Sequence, residues 1–334
     1  MILSDASWAL PLPVIVPLMF AGLTLLLFRH PRLQQFLALL AMTAATALGI
    51  VLLIGANTAP LVLDIGSWAA PVGITLVADR LAALMLVVSQ VVSLAVLAYS
   101  VAQNTKDSAP FTAGAIFYPT FLILSAGVSN SFLTGDLFNL YVGFEILLAA
   151  SFVLITLGGT RGRVRAGTVY VVVSLLSSAI FLTAIAWIYG ATGTVNMAQL
   201  ALRIPELPPD TTLAIQLLLL VAFGVKAAVF PLGGWLPDSY PTAPAPVTAV
   251  FAGLLTKVGI YGIIRLEFVL FPGNRLGTLL GVLGILTMLV GILGAIAQDD
   301  AKRLLSFTLV SHIGFMLWGI SLGTTSGLAA AIYY

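Results

Sequence analysis

Ten stretches of this chain are each long and apolar enough to cross a lipid bilayer, and little else in the sequence constrains its fold as tightly. A spanning helix needs roughly 20 mostly apolar residues. Runs of that kind occupy 8–28, 33–54, 78–101, 111–134, 137–157, 167–190, 211–232, 246–264, 277–296 and 304–323, and an eleventh begins near Gly327 and runs to Tyr334. Backbone N–H and C=O groups cannot stay unpaired in hydrocarbon, so each run is predicted to be helical. Barrel strands would read as alternating segments of about 10 residues, which these are not. The predicted fold is therefore an all-α polytopic membrane protein with ten complete transmembrane helices and the start of another. Composition agrees: 60% of the 334 residues are apolar and 8% are charged. A soluble chain of this size could not cover its surface with 14 basic and 12 acidic side chains. The net charge of +2 supplies no general field for nucleic acid.

Orientation follows from the basic residues. No positive charge precedes the first run, whereas Arg29, His30 and Arg32 follow it. This is not the layout of a signal peptide, and it places the N-terminus outside. On that parity the cytoplasmic side receives Arg29, Arg32, Lys106, Arg161, Arg163, Arg165, Lys302 and Arg303, and the outer side receives Arg80, Arg203, Arg265 and Arg275. The two longest connections, 55–77 and 191–210, both fall outside, and the second, turn-rich with Pro205, Pro208, Pro209 and Asp210, is read as a lid or a contact with a neighbouring subunit.

The chemistry available is narrow. There is no cysteine, and His30 and His312 are the two histidines. Iron–sulfur clusters, zinc–thiolate sites and cysteine nucleophiles are excluded, and no cofactor or metal site is expected. Three charged residues are predicted at membrane depth: Glu145, Lys226 and Lys257, with His312 as a fourth ionisable group. A charge at the bilayer centre costs at least about 2.5–3.5 kcal/mol, so such a residue reads first as functional. One alternative is a static ion pair between Glu145 and a lysine, but one carboxylate does not balance two ammonium groups. A proton shared along the series resolves the imbalance. For His312 the alternative is a simple hydrogen bond to a neighbouring carbonyl. Pro231 should interrupt the helix carrying Lys226, because it cannot donate to Ala227 and crowds it. The carbonyls and water released there would then solvate the ammonium; a kink without consequence is the alternative. Gly277, Gly281, Gly284, Gly291 and Gly294 read as helix–helix packing.

Several motifs are similar to a known superfamily. Phe230-Pro231-Leu232, Trp235 to Ser239, Ala243 to Pro246, Leu254 to Tyr261, Asp299 to Ser306 and Ser311 to Gly314 resemble the antiporter-like membrane subunits of respiratory complex I, membrane-bound hydrogenases and Mrp cation/proton antiporters. Gly73 to Arg80, Asn139 to Glu145, Leu154 to Thr160 and Tyr189 to Met197 resemble the D-type family of Mrp antiporter subunits in particular. The resemblance implies a multisubunit sodium/proton antiporter, with other membrane subunits, protons, monovalent cations and the lipid bilayer as partners. It implies the essential glutamate at Glu145, its partner lysine at Lys226, the central relay lysine at Lys257 and the continuing group at His312. A proton-translocating subunit of a complex-I-like or hydrogenase assembly is the alternative, and on that reading a translocase activity would be shared with redox subunits. Where some relatives carry a histidine after Phe-Pro-Leu, this chain has Gly233 and Gly234. Family members have about fourteen helices in two inverted repeats, so the chain is expected to be a fragment of a longer product. The expected division is an N-terminal three-helix segment at 1–110, an antiporter-like repeat at 111–270 and the beginning of a second repeat at 271–334. No oxygen cage for sodium stands out, which places the cation path in another subunit.

Overall fold

The computed structural model describes residues 6–103 and 111–334. Lys106, counted above among the cytoplasmic charges, lies outside the described residues. Among the described residues ten helices are long and apolar enough to cross a membrane. They are α1 (Leu12–Leu26, preceded by a 3-10 turn at Ala6–Ala9), α2 (Pro31–Gly55), α3 (Arg80–Ala102), α4 (Phe111–Leu133), α5 (Leu137–Thr156), α6 (Arg161–Thr192), α7 (Pro209–Ala227), α8 (Ala245–Leu270), α9 (Gly277–Ile296) and α10 (Ala301–Ser321). A shorter helix, α11 (Thr325–Tyr333), follows. The all-α polytopic class, the ten spans and a further helix after them are as the apolar runs predict.

The chain forms two compact units. The first comprises Met1–Val164 and Ala243–Gly253. In it α1 packs on α2 and α4, α2 on α3, and α4 on α5. The 55–77 connection is not simply a loop. Strands β1 (Leu61–Asp64) and β2 (Thr75–Ala78) pair antiparallel, Leu61 opposite Ala78 and Asp64 opposite Thr75. Leu61, Leu76 and Ala78 join a buried cluster with Ala9, Leu10, Leu52, Leu86 and Leu133, so the ribbon is the floor of this end of the unit. Asp79 then caps α3, its carboxylate accepting from the Ala82 amide at 2.8 Å.

The tight α4–α5 connection is built from side chains. Asp136 caps α5 by accepting from the Asn139 amide at 2.8 Å, and Asn139 Nδ2 donates to Thr134 Oγ1 at 3.0 Å. Burial pushes the Asp136 carboxyl above its ordinary range, opposed by the amides of Asn139 and Phe138. Gly127 lets the two helices close: a Cβ there would stand 2.6 Å from the Leu147 nitrogen.

The second unit comprises Arg165–Thr242 and Leu254–Tyr334. Within it α7 packs against the Thr256–Arg265 stretch of α8, α9 lies along α10, and α10 contacts α11. The glycines of α9 do what their spacing predicts. A Cβ on Gly284 would stand 2.9 Å from the Trp318 nitrogen, and one on Gly291 would enter the Ser311 backbone. The 191–210 connection contains a short helix, Met197–Arg203, capped by Asn196, which accepts from the Ala198 and Gln199 amides.

Three boundaries differ from the sequence reading, each for a physical reason. The sixth helix starts at Arg161, so the Arg161–Arg163–Arg165 triplet is helical and not in a loop. Arg163 there donates to the Leu157 carbonyl at 2.8 Å, satisfying the end of α5. The seventh helix stops at Ala227, four residues before Pro231. Those four residues are one turn: a proline at position i removes the donor for i−4 and disfavours helix at the residue before it. The eighth helix continues past 264 to Leu270, which carries Arg265 and Glu267 inside the span. It includes two π-helical segments, Phe251–Leu255 and Leu266–Leu270.

Candidate functional site

Lys226 sits at the last turn of α7, 8% exposed, its Nζ donating to Ser178 Oγ on α6 at 3.1 Å. The helix ends one residue later because Ala228 adopts a left-handed conformation, φ 61° and ψ 40°. That turn returns the Val229 amide to the Gly224 carbonyl at 2.9 Å. The indole of Trp235 donates to the Val225 carbonyl at 3.1 Å. The Gly224 and Val225 carbonyls therefore accept from backbone and indole donors, and a side-chain hydroxyl accepts from the ammonium.

The segment beyond the break is held rigidly. Trp235 stacks on Tyr170 at 5.2 Å and meets Tyr240 edge-on at 5.6 Å. The Phe230 amide donates to Thr287 on α9 at 3.1 Å. On the other side, α6 is fastened to α7 by Ser177, which donates to the Ala222 carbonyl at 2.8 Å, and by Phe181 against Phe223 at 4.9 Å.

Lys257 stands two residues past the first π-helical segment of α8 and is half-buried. Its helix is pressed against the end of α7 through two glycines. A Cβ on Gly259 would be 2.7 Å from the Ala227 nitrogen, and one on Gly262 would be 2.9 Å from the Phe223 ring. The backbone beside Lys257 therefore touches the residue next to Lys226. His312, in the middle of α10, is exposed on that helix, edge-on to the Tyr334 ring at 5.2 Å, and lies within electrostatic reach of Lys257. Glu145 is half-buried on α5 and belongs to the first unit, whereas Lys226, Lys257 and His312 belong to the second. Within the second unit the structure brings the lysine-bearing segments together and puts His312 near Lys257.

Two polar groups escape the sequence reading. Ser178 is hidden by its run, although Ser174, Ser177 and Ser178 are all buried in an otherwise apolar helix, which is a signal of interhelical hydrogen bonding. Glu267 reads as a loop residue because the hydropathy falls at Arg265; the helix carries it into the protein, 6% exposed. Among the described residues no group of three or more His, Cys, Asp or Glu side chains is arranged to hold a metal ion.

Fold and site define an all-α polytopic membrane protein with ionisable groups set inside its spans. Residues 134–334, three fifths of the chain, match the family described as NADH:quinone oxidoreductase/Mrp antiporter, transmembrane. The chain belongs to that family. It is 40% identical over 328 residues to the D-type subunit of a Na+/H+ antiporter from Alkalihalophilus pseudofirmus and 37% identical over 338 residues to its counterpart from Bacillus subtilis. Each match covers 97% of this chain and 66% of the relative, so the chain spans just under two thirds of their length. Among solved structures it superposes on a chain of the Mrp complex from a Dietzia species with a TM-score of 0.89 and 35% identity, covering all of this chain and 62% of that one. A chain of an archaeal membrane-bound sulfane sulfur reductase gives a TM-score of 0.88 at 27% identity, covering 97% of this chain and 67% of that one.

Proposed function

We propose that this chain is a D-type subunit of a multisubunit sodium/proton antiporter in a bacterial plasma membrane, with its N-terminus outside, and that it conducts protons through Glu145, Lys226, Lys257 and His312. The observation that carries the reading is Lys226: a lysine buried at a helix end, held by a serine hydroxyl, beside the glycine contact that leads to the segment of Lys257. The identity to two D-type antiporter subunits supports the assignment of the assembly. On this reading 111–270 is the first antiporter-like repeat, 1–110 the segment before it and 271–334 the opening of the second. Other membrane subunits complete the complex and carry the cation path.

The mechanism is electrostatic. A glutamate close to Lys226 stabilises its ammonium form. When that carboxylate withdraws, the charge is left in a medium of low dielectric constant, and its proton passes towards Lys257 and His312. A change equivalent to about 2 pKa units is worth about 2.7 kcal/mol. Moving one charge through 100 mV is worth about 2.3 kcal/mol. The two are comparable, so a pair that opens and closes is enough to gate protons against a membrane potential.

The test is cation-induced pH change in vesicles bearing the full assembly. Sodium added outside should release or take up protons without any electron donor. A proton movement that needs a reductant, with no response to sodium, would favour the redox-driven alternative, for which the likeness to the sulfane sulfur reductase chain is the supporting observation.

Orientation is tested separately. The chain has no cysteine, so single cysteines report without background. Gly159→Cys, in the turn before α6, should react with an impermeant thiol reagent only from the cytoplasmic side. Glu206→Cys, beyond the short helix Met197–Arg203, should react only from outside. Labelling of both from one side would overturn the assigned topology.

A further inference from the structure

Glu267 is a carboxyl whose surroundings do not suit a charge. It lies in the π-helical end of α8, 6% exposed, and makes no ion pair among the described residues. The charged groups on the elements around it are engaged elsewhere or distant. Arg265, on the same helix, donates through Nε to the Tyr261 hydroxyl at 2.9 Å and lies over that ring at 4.9 Å. Arg203 ends the short helix packed against this turn, and it donates to the Thr192 carbonyl. On α7 the charged residues are Asp210 and Lys226. They stand six and ten residues from Gln216, about 9 and 15 Å along the axis.

One group does meet Glu267. Gln216 on α7, 1% exposed, donates through Nε2 to Glu267 Oε1 at 3.0 Å. Two oxygens are left over, Gln216 Oε1 and Glu267 Oε2, both buried and both without a hydrogen-bond partner. A buried polar atom left in this condition costs about 1–3 kcal/mol, and more if it is charged. The two deficits belong to the two groups that are already joined. A primary amide and a carboxylic acid close a ring of two hydrogen bonds, amide N–H to acid carbonyl and acid O–H to amide oxygen. The first of these is in place. One proton on Glu267 Oε2 supplies the second, satisfies both oxygens and removes the buried charge. A metal ion would need several more oxygen ligands, and no cluster of acidic or histidine side chains provides them among the described residues.

We propose that Gln216 and Glu267 form a proton-binding site in which Glu267 is held as the neutral carboxylic acid, bonded through both of its oxygens to the Gln216 amide. The site is separate from the relay above: Lys257 lies ten residues earlier on α8, about 15 Å along the axis. It does not depend on that relay being correct.

The test is infrared spectroscopy of the lipid-reconstituted assembly at neutral pH, where a glutamate in water is ionised by about 500 to 1. The difference between wild type and Glu267→Gln should contain the carbonyl stretching band of one protonated, doubly hydrogen-bonded carboxyl, lost in the variant. In Gln216→Leu the band should move to the higher frequency of an unbonded acid. An amide replaces a neutral acid with little change of shape, so Glu267→Gln should assemble. Should it fail to, the same band is identified as the one that both shifts on carbon-13 labelling of glutamate and moves in Gln216→Leu. Absence of any Glu267-dependent acid band at neutral pH overturns the proposal. So does a band unmoved in Gln216→Leu, or one that disappears when sodium is added at constant pH, which would mean that the site takes a metal cation.

Discussion

Lys226→Ala is expected to abolish cation-driven proton movement, to less than about a tenth of the wild-type rate, while the protein still inserts and assembles. Glu145→Ala is expected to do the same. On the proposed mechanism each change leaves its opposite group alone at membrane depth. There an unpaired charge costs several kcal/mol or neutralises itself. The double variant should then be no worse than either single one, because the two act as one unit. Lys257→Ala should also stop proton flow, without that non-additivity towards Glu145. Ser178→Ala removes the hydroxyl 3.1 Å from Nζ but not the charge, so a partial, several-fold loss is expected. His312→Ala should be milder again, since an ordered water can take the place of the exposed ring. The measurement is the vesicle assay, with assembly verified independently. Near-normal rates in the Glu145 or Lys226 variant would mean that these charges are a fixed structural pair.

The second large effect is structural. Gly291→Leu is expected to prevent stable assembly. A Cβ there already enters the Ser311 backbone, with Ser311 Cα 2.7 Å away, and α9 cannot retreat without losing its contacts along α10. Overpacking in a well-filled interface costs typically about 1–3 kcal/mol, and a backbone obstacle lies at the upper end because no rotamer relieves it. Gly190→Ala is the control. Nothing lies within 4 Å of its Cβ position and the residue is inside α6, so a small gain, up to about 1 kcal/mol, is expected. The readout is the thermal midpoint of the purified assembly together with its yield. Equal midpoints for the Gly291 variant and wild type would show that α9 and α10 are not held by that contact.

These contrasts indicate which parts of the molecule a reader can extract from sequence. The spans are legible because lipid imposes one rule on every backbone group, and an unbroken apolar run of about 20 residues has one outcome. The glycines of α9 are legible for a similar reason, since small residues one turn apart serve close approach. The β1–β2 ribbon is not, because four-residue strands are too short to show alternation, and its apolar members Leu61, Leu76 and Ala78 are recruited by tertiary burial. The end of α7 falls one turn earlier than the apolar run suggests, because the proline that causes it lies downstream of the carbonyl it deprives. Of the site, Lys226, Lys257, Glu145 and His312 stand out as ionisable groups in apolar runs. Ser178 and Gln216 do not, since a neutral hydroxyl or amide in an apolar run is not a charge at membrane depth. Glu267 is lost with Arg265, which looks like a boundary until the cation is seen turned back onto Tyr261.

The π-helical segment at Phe251–Leu255 sets the angular phase of everything after it on α8. An α-helix advances about 100° per residue, and a π turn accommodates one residue more without a matching advance of the axis. The residues of α8 that follow the segment, Lys257 among them, thus take their directions from that extra residue as well as from ordinary helical spacing. Were the same residues wound throughout as a regular α-helix, everything after 255 would be turned by about 100° and the lysine would face another neighbour, whereas a chain shortened by one residue inside 251–255 would form that regular helix and keep the direction. In this stretch residue spacing, as much as residue identity, specifies which way the ammonium points.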